Sequence, residues 1–365
     1  MRLILILLFF IVFSSCQNDA SKNTQSQKSI SVDPVEEVEL IVYINNLRMR
    51  SGPNVDHEII ASLPENTIVK YQGKSSMHTT PIKMRGMEMN ARWLLVKTED
   101  GKEGWLYGGG IKPKTNDDIQ AIKILDAMQV NGLFEKKLAQ KIEDYQEQWN
   151  TFSTSADFAK NYLFGENIQE DINDILEKKV EIDNPSILPD MGWLERTMIG
   201  YQNSLVAEGT KFYLFQNYKL MHQKAMRTEG KEDDEFFELQ FKINDLDSIE
   251  HFYKSWFMQT WDYGGHSLLG AGKHFEILSD MNTLFSKSKL FEKPILKLKN
   301  DLLKDIIDEH ITYWESKDKI LDELGNIINA KFVLLSKEDI IGLKARKKMF
   351  ENPTANKIEI NKRQG

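Results

Sequence analysis

Cys16 is the single thiol in 365 residues, and a catalytic thiolate needs a histidine beside it in a pocket. The seven histidines are His57, His78, His222, His251, His266, His274 and His310. None of them forms the H-E-x-x-H pair of a zinc hydrolase helix. One local set has the residue types for metal-assisted or acid–base hydrolysis: Asp262, His266, His274 and Glu276, placed around Gly264-Gly265 where the backbone can fold back. The plainer account of the same stretch is a helix–helix loop that needs its glycines for the turn and packs a histidine at its edge. Glu232-Asp233-Asp234-Glu235 reads as a solvated charge run, not an acid/base pair. Gly108-Gly109-Gly110 lacks the Lys-Ser/Thr of a phosphate loop, and there is no G-x-S-x-G elbow. These patterns name no catalytic residue, no metal and no cofactor.

The position of Cys16 is more informative than its thiol. Arg2 is followed by the unbroken apolar run Leu3 to Phe13 and then by Ser14 and Ser15, the layout of a secretory signal with a small-residue cleavage site. About 11 apolar residues are too few to span a bilayer, which takes ~20. Phe13-Ser14-Ser15-Cys16 resembles the lipobox of bacterial lipoproteins. The resemblance implies removal of residues 1–15, lipid on the Cys16 sulfur, acylation of the new N-terminus and residence in the cell envelope, at the outer membrane on its periplasmic or surface face. The alternative is an ordinary signal peptide whose apolar region ends in cysteine. Lipidation would consume the thiol and remove both cysteine catalysis and disulfides from consideration. More than one acyl chain is needed for stable anchoring, and a lipoprotein modification supplies them. The polar segment 17–34 cannot bury enough apolar surface to order itself, so 16–36 reads as a lipidated tether with an r.m.s. reach of roughly 25 Å. A formal net charge of −8 argues against general nucleic-acid binding, which needs a basic surface.

Elements that could position a site begin at residue 37. Over 37–114, Val38, Leu40 and Val42 alternate with Glu39, Ile41 and Tyr43 at the strand period. Ser51-Gly52-Pro53-Asn54 and Pro64-Glu65-Asn66 are turn signals, and Asp100-Gly101 is a hairpin signal between Trp93-Leu94-Leu95-Val96 and Gly104-Trp105-Leu106-Tyr107. Short strands with such turns predict a small barrel. Asn46-Leu47-Arg48, Gly52-Pro53, Ile59-Ile60, Trp93-Leu94-Leu95-Val96 and Gly101-Lys102-Glu103-Gly104-Trp105 resemble, in order and spacing, the signature of the bacterial SH3 (SH3b) domain. The resemblance implies a non-catalytic module for a peptidoglycan peptide or an envelope protein. Among its aromatics, Trp93 and Trp105 each read more as structural than as ligand-contacting. Arg50, Tyr71, Trp105 and Tyr107 are the candidate ligand-binding residues, with Arg50, Tyr71 and Tyr107 expected to be the better exposed. Residues 74–90 are longer than this family usually carries. Met77, Met84, Met87 and Met89 there suit adaptable contacts, and the plainer expectation is a mobile hairpin tip.

From residue 115 the apolar period becomes helical, and no known family is recognised. Asn116 with Asp117 and Asp118, and Ser155 with Asp157, mark helix starts. Residues 193–226 read as one or two helices. Asp247-Ser248-Ile249-Glu250 fits a capping box for a helix through Trp256 and Met258, and a long helix runs from Pro294 past His310 and Trp314 to Ile328. Ser336 to Asp339 caps a last helix. The tail 351–365 is polar and expected to fray. The expected architecture is a multidomain α+β chain: a small SH3-like all-β barrel followed by a mainly α-helical domain over 115–350. Two functions follow. In one, the barrel of an envelope-anchored lipoprotein holds a cell-wall or protein ligand without turnover. In the other, the helical half is a hydrolase with the barrel as targeting arm, which requires Asp262, His266, His274 and Glu276 to share a pocket.

Overall fold

The computed structural model describes residues 38–364 except 183, 185, 207–208, 245–252, 261–263 and 309–310. The readings for 1–15, for the 16–36 tether, for Cys16, for the 247–250 capping box and for Asp262 and His310 lie outside the described residues. Val38–Gly365 is one compact unit, separate from Met1–Glu37. Among the described residues no helix is long and apolar enough to cross a membrane.

Seven strands, β1 (Glu39–Val42), β2 (Leu47–Arg50), β3 (Ile59–Leu63), β4 (Ile68–Met84), β5 (Met87–Thr98), β6 (Glu103–Tyr107) and β7 (Ile111–Pro113), form one antiparallel sheet of order β3-β2-β6-β5-β4-β1-β7. One apolar cluster draws on every strand, including Leu63 and Ile111 from the two edges, so the sheet curls around a single core. Register shifts after Met49 and on both sides of Ser75 supply the bends this needs. The SH3-like β architecture is as expected. The 74–90 insertion is not a mobile tip. It lengthens β4 and β5 into a ribbon whose turn, Arg85-Gly86, has φ of 47° and 78°, the paired positive values of a type I′ turn. The turn docks on the chain after α3 (Ser155–Lys179): Glu181 N–H donates to Gly86 O at 2.8 Å, and a Cβ on Gly86 would lie 1.9 Å from Glu181 O. Met87 and Met89 are buried in the helical core, not the barrel core. Burying these two apolar side chains stabilises the docked position by roughly 1.5–3 kcal/mol each.

Helix α1 (Ile119–Leu133) starts at Asp118, whose side chain accepts from Ala121 N. Its Ala121 and Leu125 belong to the barrel core, and its Val130 and Leu133 to the helical core. The junction at 114/115 therefore divides secondary structure but not packing. Helices α2 (Lys136–Thr151), α3, α4 (Gly192–Thr197), α5 (Tyr218–Ala225), α6 (Glu232–Ile243), α7 (Lys273–Lys287), α8 (Glu292–Ile307), α9 (Lys317–Asn329) and α10 (Lys337–Glu351) complete the body. The capping box at Ser336 and Asp339 is present.

Four expectations for this half are corrected. Residues 193–226 contain a hairpin, β8 (Tyr201–Val206) and β9 (Lys211–Gln216). Its edge is completed by a side chain: Asn173 on α3 gives Nδ2 to Leu214 O at 3.1 Å and accepts Leu214 N at Oδ1 at 2.8 Å. Met258 lies in β10 (Phe257–Gln259), paired with β11 (Gly265–Ser267), and not in a helix. The helix from Pro294 stops at Ile307, and residues 311–316 run beside β11 through a Ser267–Tyr313 bridge before α9 begins. The tail is docked: Tyr313 N–H donates to Glu359 O at 2.8 Å, Asn361 N–H donates to Glu315 O at 3.0 Å, and Ile358 enters the core. In each case tertiary partners supply hydrogen bonds that a helix or a frayed end would have found locally or in water.

Candidate functional site

A groove of ≈ 440 Å³ lies between the sheet and α1. Tyr71 and Ser75 on β4 and Asn90 and Arg92 on β5 form one side, and Met128 and Asn131 on α1 form the other. Strand alternation places Asn90 and Arg92 on the same face, two residues apart. Helical spacing does the same for Met128 and Asn131, three residues apart. The sheet and helix approach closely because Gly108 has no side chain: a Cβ there would meet Met128 Sδ at 2.1 Å and Arg92 O at 2.7 Å. Arg92 is exposed and makes no ion pair among the described residues. Burial and, in the opposite sense, a hydrogen bond with Ser75 act on the half-buried Tyr71 hydroxyl, with a net shift above its ordinary value. The groove thus offers one cation, an aromatic ring and two exposed amides, a set suited to a peptide segment carrying a carboxylate.

Of the four expected ligand-binding residues only Tyr71 lines this groove. Tyr107 is 2% exposed, and its hydroxyl donates toward Met89 O at 2.7 Å and accepts from Ala91 N at 3.1 Å. Burial raises this phenol to about 12. Arg50 is 9% exposed and donates Nη1 to His57 O at 2.7 Å, holding the 51–58 loop. The expected exposure of both is corrected: their polar ends satisfy backbone atoms inside the barrel. Trp105 is half-buried on β6, opposite Arg50 and Leu95, and does not line the groove. Trp93 is structural, edge-on to Tyr107 and donating Nε1 to Thr80 Oγ1 at 2.9 Å. Arg92, Asn90 and Asn131 were missed. The insertion concealed Asn90, Arg92 stands just past its end, and Asn131 is contributed by a helix outside the barrel's own sequence.

Among the described residues, His266, His274 and Glu276 of the hydrolase set do not assemble. His274 is fully buried, with Nε2 2.7 Å from Asp305 Oδ2, and that carboxylate also accepts from Ser267 Oγ at 2.6 Å. Glu276 is on the surface beside Lys273 and Lys242. His266 places Nδ1 2.6 Å from Thr312 Oγ1 and stacks on Trp314. Serine and histidine both address the carboxylate and not each other, which is a structural knot between β11, α7 and α8 and not a nucleophile–base pair. Among the described residues no group of three His, Cys, Asp or Glu side chains is placed to hold a metal ion.

Comparison with known proteins yields one match. Residues 45–112 match the family model of the bacterial SH3 domain, which spans β2 to β7 and includes every sheet residue of the groove. Neither the curated proteins nor the solved structures gave a match.

Proposed function

We propose that the bacterial SH3 domain at residues 45–112 is the ligand-binding module of an envelope lipoprotein. Its ligand is a carboxylate-bearing cell-wall peptide or protein segment, held without turnover in the groove between the sheet and α1. Bacterial SH3 domains are ligand-binding modules of the cell wall, which supports the class of partner. The observation that carries the reading is the exposed Arg92 guanidinium beside Tyr71, with Asn90 and Asn131 as orienting amides. An Arg fork pairs with a carboxylate through two parallel hydrogen bonds, and a tyrosine gives contact area at small entropic cost. Trp105 stands outside this groove, and Tyr107 and Arg50 position the strands. Lipid on Cys16 and removal of residues 1–15 hold the body at the envelope, the 16–36 segment serving as tether.

Two measurements test the proposal. Co-sedimentation with purified peptidoglycan, together with crosslinking in cells, is expected to give an envelope partner whose capture falls with Arg92→Ala and Tyr71→Ala. Capture unchanged by both variants, or no envelope partner in either assay, refutes the binding role. Mass spectrometry of the mature N-terminus is expected to show acylated Cys16, and a free thiol behind an intact Met1 refutes the anchoring.

A further inference from the structure

The helical body contains a second cavity, of ≈ 450 Å³, between α3, the β8–β9 hairpin, α6 and the start of α8. Its size is in the range of small-molecule sites. Its wall is a continuous chain of hydrogen-bonded side chains. Lys254 Nζ donates to Asn244 Oδ1 at 2.6 Å, and Asn244 Nδ2 donates to Gln240 Oε1 at 3.0 Å. Gln240 Nε2 reaches Tyr162 Oη at 3.5 Å, Tyr162 donates to Gln216 Oε1 at 3.1 Å, and Gln216 Nε2 reaches Glu166 Oε1 at 3.4 Å. Such a chain fixes the rotamers of every member before a ligand arrives.

The groups at its two ends are of opposite charge type. Burial pushes the Glu166 carboxyl up and the Lys254 amine down. The other lining cation, Lys297, lies 3.5 Å from Glu170. A third lining carboxylate, Asp301, faces Lys254, so both lining ammonium groups have a carboxylate beside them and no cation is left over to select an anion. What it presents are the half-buried amides of Gln202 and Gln216, which match groups that both donate and accept, and aromatic surface. Tyr213 and Phe215 alternate with the buried Phe212 and Leu214 along β9. They put two rings, centroids 4.7 Å apart, on the cavity side, and Tyr213 is 40% exposed.

We infer that this cavity binds a neutral sugar of one or two rings. Its hydroxyls are read by Gln216 and by Gln202 on β8, and one apolar C–H face lies on Tyr213. The inference is independent of the barrel groove.

The test is calorimetric titration of the full chain with chitobiose, cellobiose, maltose and, as a zwitterionic control, dialanine. At least one disaccharide is expected to bind, with affinity falling about tenfold or more in Tyr213→Ala and by a smaller factor in Gln202→Ala, a variant on the neighbouring strand that guards against misfolding of the first. Glu166→Gln keeps the hydrogen-bond geometry without the charge and is expected to leave sugar affinity within about threefold. Arg92→Ala in the barrel is expected to leave it unchanged. Absence of binding by all three sugars overturns the inference. So does binding of dialanine that Glu166→Gln abolishes, which would make the cavity a zwitterion site, or sugar binding indifferent to both Tyr213→Ala and Gln202→Ala.

Discussion

The barrel groove and the helical cavity are nearly equal in volume, ≈ 440 and ≈ 450 Å³, and opposite in chemistry. The groove has an exposed guanidinium with no carboxylate beside it and a few separate polar groups. The cavity has an ammonium and a carboxyl at the ends of four neutral side chains that are bonded to one another, and its lining lysines each have a carboxylate beside them. One arrangement attracts an anion and lets the partner supply the geometry, and the other fixes its geometry and leaves no cation unpaired. Volume alone would have ranked them together. The positions of hydrogen bonds and unpaired charges separate them, because desolvating an ion costs far more than desolvating an amide that keeps its partners.

The two regions meet at the β4–β5 ribbon, and the largest predicted effect is there. Met87→Ala and Met89→Ala are each expected to cost about 2–5 kcal/mol through cavities in the helical core. The double variant is expected to unfold in urea in two steps, barrel apart from body. A single transition at the wild-type midpoint would show that the ribbon does not couple the halves.

Next in size is Asp339, which serves both as the third residue of the capping box and as the partner of Lys299 at 2.7 Å. Burial pushes its carboxyl up, but the Lys299 hydrogen bond and charge with the Ser336 backbone N–H outweigh that and hold it below the ordinary value of 3.8. A depressed carboxyl contributes stability that is present above the unfolded-state pKa and lost as pH falls through the folded one. Asp339→Ala is expected to cost about 1–3 kcal/mol near neutrality. In thermal melts the difference from wild type should shrink below about pH 4, and a difference constant with pH would remove the ion pair from the account.

Within the barrel, Thr80→Val deprives Trp93 Nε1 of its acceptor and is expected to cost about 1 kcal/mol, read as a lower urea midpoint. Smallest on stability is Arg92→Ala, expected to change it by less than about 0.5 kcal/mol while ligand capture falls. A large loss of stability there would make Arg92 part of the fold and remove it from the groove's chemistry.

The regions also differ in how far the chain itself revealed them. In the barrel, turn residues carry fixed conformations: Gly101 closes the β5–β6 hairpin and Asn66 the β3–β4 turn, both at positive φ. Local chemistry there predicts the strands and their order. In the body, Tyr201 to Tyr218 carry aromatics at spacings compatible with a helix, and the hairpin wins because Asn173, far away in sequence, completes the edge of β9. Tyr107 illustrates the same limit for a site: an aromatic closing a strand reads as available for contact until three backbone atoms surround its hydroxyl.

Taken alone, the order of residues determined an SH3-like barrel followed by helices and the cap at Ser336. These rest on interactions spanning a few residues, where period, turn type and capping leave few alternatives. Only tertiary structure decided that the methionine ribbon anchors the barrel, that residues 351–364 dock, that His266, His274 and Glu276 stay apart, and that Glu166, Gln216, Asn244 and Lys254 line one cavity. Each depends on side chains tens to hundreds of residues apart, and their meeting is set by competition among many possible burials that no local pattern encodes.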